Sequence, residues 1–244
     1  MPLAAGAEPP LPAPTLSSSL NGPDSLVLER MRIRELMEGF PAHRDACEWT
    51  KLRALFAENE AYVFTTWSGG VPIDEFVRIS ELGFAKGVKI AHRVNGGTVD
   101  VATSGRAAGT RGLGKLKATI TQRFTMPTAN EGETCEVDVD ADCRLCFFVE
   151  KKPDGGWKNH FFKGFYEKDK ATPVDPRKIP VCDDDKLQSF PEGYRYLAYG
   201  QSSAYKIKMD LPQSRGEEHD RFYACFIDWL EGASIEDMKV KLGV

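Results

Sequence analysis

EVDVDADCRLCFFVE, residues 136–150, reads as one long β-strand. Val137, Val139, Ala141, Cys143, Leu145, Phe147 and Val149 take every second position and alternate with mostly polar residues, which is the period of a pleated strand. That reading also disposes of a tempting motif. Cys143 and Cys146 form a C-x-x-C, but residues three apart on a strand point to opposite faces and cannot chelate one metal. No second C-x-x-C and no histidine pair at zinc spacing accompanies it, so no metal site is expected. The six cysteines read as free thiols of a cytosolic protein.

Similar runs lie on both sides of this strand. HRVNGGTVDV (92–101) carries an Asn-Gly-Gly turn signal, and KLKATITQRFTM (115–126) follows it. A Pro-Asp-Gly-Gly turn then leads into WKNHFFKGFYEKD (157–169). Upstream the period changes. Leu26, Leu28, Met31, Ile33 and Leu36 place a helix over 25–39, and Trp49, Leu52, Leu55 and Phe56 place a second over 48–58. AYVFTTW (61–67) is rich in aromatic and β-branched residues and reads as a strand. A third helix over 74–87 closes at Gly87. Three helices with one strand between them, then a run of long strands, specify an α+β fold. The expected arrangement is three N-terminal helices packed on a curved, mainly antiparallel sheet.

The bounds agree with a single domain carrying additions. The chain of 244 residues is long enough for a sizeable core. Its net charge of -4 is mild and its basic residues are dispersed, which argues against a nucleic-acid or anionic-membrane surface. No apolar run has the length of a membrane helix. The first twenty residues have neither a basic start followed by an apolar segment nor an arginine, so no targeting signal is expected there. Residues 1–22 read instead as a disordered arm, and a cytoplasmic location is the default. Gly109 to Lys115 lacks the spacing of a nucleotide-binding loop, and no cofactor is expected.

From the first helix to about Asp169 the chain resembles the nuclear-transport-factor-2-like superfamily, a cone-shaped α+β fold that includes the SnoaL-like polyketide cyclases. Its motifs are most similar to those of scytalone dehydratase. Asp45, followed by Glu48-Trp49 and Leu52, stands where that family has its pocket aspartate. His92, in His-Arg-Val-Asn-Gly-Gly, stands where it has a catalytic histidine, with one residue more before the glycines. The turn Lys151-Lys152-Pro153-Asp154-Gly155-Gly156-Trp157-Lys158 matches as well. There are also departures. The family's second histidine corresponds to Thr121, its pocket asparagine to Cys146, and two pocket tyrosines to Arg44 and Phe64. The resemblance therefore implies an Asp-His pair but not scytalone as the substrate.

Such a pair has a clear chemical use. A neutral imidazole accepts a proton near neutral pH, and a carboxylate on its other nitrogen fixes the tautomer and stabilises the imidazolium. The plainer reading stays open: Asp45 three residues before Glu48 is also the pattern of a capping box, and His92 could donate to a core carbonyl. Tyr62, Phe64 and Trp67 are candidates to line an apolar pocket, with core packing as the alternative. Thr119, Thr121 and Arg123 share a strand face; in the dehydratase register that face looks into the cone, where Arg123 would meet an anionic or enolate oxygen. Asp138, Asp140 and Asp142 read as a solvated stripe, His160 as a fallback base, and His43 and His219 as surface residues.

The domain expectation is an arm over 1–22, a SnoaL-like α+β barrel domain over 23–170, and a C-terminal extension over 171–244. The extension holds an amphipathic helix through Phe222, Phe226 and Trp229 and a last helix capped by Ser234. So much apolar surface must be covered, either on the domain or on a partner subunit, and a homo-oligomer is possible on this reading. The functional expectation is a cofactor-independent dehydratase, isomerase or cyclase acting on a small polyketide-like or other secondary metabolite. His92 would be its base and Asp45 the orienting residue. The alternatives are a non-catalytic ligand-binding or assembly protein using the same cone, and a hydrolase activating water with the dyad.

Overall fold

The alternation over 136–150 becomes the middle of the longest strand in the molecule. In a computed structural model describing residues 8–209 and 216–244, this is β6, Thr134–Lys151. Chain order gives β1 (Ser17–Ser18), α1 (Val27–Asp45), α2 (Trp49–Ala54), β2 (Tyr62–Thr65), β3 (Gly69–Pro72), α3 (Ile73–Ala85), β4 (Lys89–Ala102) and β5 (Arg111–Pro127). After β6 come β7 (Trp157–Pro173), α4 (Asp184–Gln188), α5 (Arg195–Gln201), α6 (Glu217–Glu231) and α7 (Ile235–Leu242). The strands form one sheet in the order β1-β4-β5-β6-β7-β2-β3. Every pairing is antiparallel except that of β2 with β7. The α+β architecture, with N-terminal helices on a curved and unclosed sheet, is thus the one expected.

The inner face of the sheet meets α1. Ile33, Leu36, Met37, Phe40, Pro41 and Arg44 recur at helical spacing and are all buried. Phe40 stacks on Phe162 at 4.2 Å between ring centroids and meets Phe147 edge-on at 6.0 Å. Gly114 makes room for the helix, since a Cβ there would lie 2.3 Å from Met37 Sδ. The helix runs on past its expected end at 39, through Pro41, because the buried stripe continues through Phe40 to Arg44.

The outer face is covered too, by the C-terminal extension. Phe148 meets Phe222, Phe226 and Trp229 at 5.6, 5.5 and 5.9 Å. Trp229 is fully buried, its Nε1–H donates to Gly112 O at 3.0 Å, and Arg111 lies over its ring at 3.6 Å. Residues 145–149 are consequently buried on both faces, whereas 135–145 keep a strict alternation. His219 departs from expectation for the same reason: it is buried, its ring 5.0 Å from Phe165.

Two further expectations change. Asn95-Gly96-Gly97 is a β-bulge inside β4, not a turn, with the register slipping between Val94 and Gly96, and Gly96 at φ 102. One extra residue reverses side-chain parity, so His92, opposite Ile120, and Val99, opposite Gly114, both face inward. Of the arm expected to be disordered, residues 1–7 lie outside the described residues. Within the rest, Ser17 and Ser18 pair with Ala102 and Val101, and Leu16 O accepts from Thr103 N–H at 2.8 Å.

Candidate active site

Asp45 is the last residue of α1, and His92 lies near the start of β4, where the bulge turns it inward. The two meet across 47 residues of chain. His92 donates its backbone N–H to Asp45 Oδ2 at 2.6 Å, and its ring Nδ1 lies 2.7 Å from Oδ1. An ionised carboxylate only accepts, so the shared proton belongs to Nδ1 and Nε2 keeps its lone pair. The capping alternative for Asp45 is not the observed geometry. The residue before α2 is Glu48, with no side-chain cap bond, and it pairs instead with His43 at 2.6 Å.

His92 has only 4% of its side chain exposed. Burial pushes its pKa below 6.5; the hydrogen bond it donates to Asp45 resists, and the nearby charge of Arg44 adds to the fall. The neutral ring is therefore the stable form at neutral pH, as a proton acceptor requires.

His92 borders a cavity with Phe40, Trp67, Phe76, Leu145 and Phe162. Its polar edge holds Arg44, Thr66, Tyr166 and Gln201. Burial holds the Tyr166 phenol well above its usual range, so it is a neutral donor. The free space is about 30 Å³, enough for about two water molecules. Leu197 and Gln201 of α5 close one side, with Thr66 Oγ1 donating to Gln201 Oε1 at 2.8 Å and Gln201 Nε2 donating to Gln122 Oε1 at 2.9 Å.

Of the candidate substrate-binding residues named from sequence, Trp67 lines this cavity and the others do not. Tyr62, beside Phe161, and Phe64, beside Lys163, lie on the outer face; Val63 and Thr65 are the inward residues of β2. Thr121 donates to Asp140 at 2.5 Å, and Arg123 grips both oxygens of Asp138 at 2.7 Å, again on the outer face. The inward residues of β5 are Ile120 and Gln122. Cys146 shares the face of Phe148, away from the cavity, where its neighbour Leu145 is found. Each of these assignments is off by one residue, and one residue inverts a strand. His160 is held by Glu150 at 3.0 Å on one ring nitrogen and by Glu60 O at 3.2 Å on the other, which leaves it no role in the cavity. The residues that sequence reasoning missed are Thr66, Tyr166 and Gln201, while Arg44, at the position of a family pocket tyrosine, does line the cavity.

Among the described residues no group of three or more His, Cys, Asp or Glu is placed to hold a metal ion, and no helix is long and apolar enough to cross a membrane. A SnoaL-like domain model matches residues 26–163. Pea pathogenicity protein 2 of Fusarium vanettenii is 47% identical over 88% of this chain and 91% of its own. An uncharacterized protein of Emericella nidulans is 45% identical over 88% of this chain and 92% of its own. Among solved structures, a putative scytalone dehydratase from Novosphingobium aromaticivorans is 19% identical over 62% of this chain and 97% of its own, with a TM-score of 0.47.

Proposed function

The chain belongs to the SnoaL-like domain family, and on that premise we propose that it is a cofactor-independent acid–base enzyme of the lyase or isomerase kind. One observation carries the reading. A buried, neutral imidazole lines an apolar-walled cavity while both oxygens of Asp45 hold it through Nδ1 and the backbone N–H. His92 Nε2 takes a proton from a carbon of the substrate, and Asp45 stabilises the imidazolium. The electron pair left on carbon then expels a neighbouring hydroxyl, which leaves as water with the proton His92 returns. In an isomerase the same proton goes back to a different carbon. The apolar walls suit a small organic molecule with a hydrocarbon or ring skeleton, in keeping with a polyketide-like or other secondary metabolite. The free space, about 30 Å³, is smaller than such a molecule, so binding requires the cavity walls to give.

The apolar walls of the cavity also favour a second reading, a protein that binds a ligand without turning it over. One experiment separates them. Purified protein is incubated with a metabolite extract of the cells that make it, in deuterated water, and the mixture is compared by mass spectrometry with the same incubation of His92→Ala. The enzyme reading expects at least one compound to lose water or gain deuterium only with the unmodified chain. A compound retained unchanged by both proteins would contradict turnover and establish the binding reading.

A further inference from the structure

Arg44 is the one charged member of the buried stripe of α1, and it is 5% exposed. Its Nε and Nη1 have no hydrogen-bond partner. The neighbouring carboxylate, Asp45, has both oxygens on His92. Aromatic rings surround the cation instead: its guanidinium carbon lies 5.9 Å from the centroid of Trp67, 5.6 Å from Phe76 and 5.5 Å from Phe84. Ring faces offset part of the lost hydration, but they leave Nε and Nη1 without acceptors. A buried guanidinium with two nitrogens unpaired by the protein is costly for a fold to keep, and an aliphatic side chain would fill the same space.

Arg44 borders two cavities, the one containing His92 and a second of about 20 Å³ lined by Ser80, Gln122 and Tyr205. Ser80 Oγ is likewise buried without a partner. Two side chains with three orphaned donor atoms border one small cavity and call for oxygen acceptors, and the positive charge calls for an anion. The planar fork of a guanidinium matches the two oxygens of a carboxylate.

We infer that Arg44, with Ser80, is an anion receptor adjoining His92, and that the ligand of this pocket is a small carboxylic acid bound through its carboxylate. The inference deepens the enzyme reading by fixing a substrate class, and it rests on that reading only for the role of His92. With the carboxylate on Arg44, the carbon skeleton extends along the apolar walls toward Nε2. The same cation stabilises negative charge that grows on the substrate as its proton leaves.

The test titrates the full chain with formate, acetate and benzoate, and with neutral benzamide, by calorimetry. The unmodified protein and His92→Ala should both bind a carboxylate about tenfold or more tightly than the amide of the same shape. Arg44→Met should lose that preference while its thermal midpoint stays level or rises, because an unpaired buried charge is gone. Arg44→Lys, which keeps the charge without the fork, should show a weakened preference and serves where the methionine variant does not fold. No preference for the acid in the unmodified chain, or an unchanged one in Arg44→Met, overturns the receptor. A preference that survives in a protein whose chemistry ignores His92 keeps the receptor and discards only the enzyme reading.

Discussion

His92→Ala is expected to leave the fold in place and to lower turnover by about a hundredfold or more, the usual contribution of a positioned general base. The ring borders existing free space and its one side-chain hydrogen bond is to the half-buried Asp45, so its loss removes little packing. Asp45→Asn keeps the shape but not the charge that favours the imidazolium, and should also cut turnover. The double variant should be little worse than the worse single one, as for residues that act as a unit. Steady-state kinetics beside thermal melts separate this from a structural role, in which activity would fall only in step with the midpoint.

The second large effect concerns the extension. Deletion from Pro173 leaves β7 almost whole, yet should give insoluble or aggregating protein. It uncovers Phe148, Phe161 and Phe165, which now lie under Phe222 and Trp229. Each such ring buries roughly 150–250 Å², so the exposed patch would exceed what soluble monomers carry. Size-exclusion chromatography reads the outcome; a monomer with an unchanged midpoint would show that the extension is a tail.

That cover also explains what the sequence concealed. The strands were legible because alternation along β6 and β7 survives wherever one face is wet, as at Asp138, Asp140 and Asp142. Where both faces are buried, alternation cannot say which side is inside. Phe64 and Val63 are equally apolar, and so are Cys146 and Leu145, but only the second of each pair faces α1. The bulge at Asn95 and Gly96 hid the parity of β4, because Asn-Gly reads as a turn when the strand on its far side is not seen. The pairing of Asp45 with His92 came from resemblance alone, since contact between residues so far apart in the chain has no local signature. Arg44 lay beyond the helix expected over 25–39, at the position of a family pocket tyrosine, and its place in the buried stripe of α1 came only with the structure.

The central claim is that His92, held by Asp45, is a neutral proton acceptor. It is tested most directly by a pH titration of the histidine ring nitrogens by NMR, and the chain has only four histidines to assign. Burial, the largest influence, disfavours the charged ring, so His92 should stay neutral with its proton on Nδ1 until the pH falls below 6.5. The acid limb of any activity profile should lie below that pH too, because protonation removes the base. Asp45→Asn should move the titration lower still, as the bond that favours the charged ring is lost. A His92 that titrates above 6.5, or that carries its neutral proton on Nε2, would contradict the account.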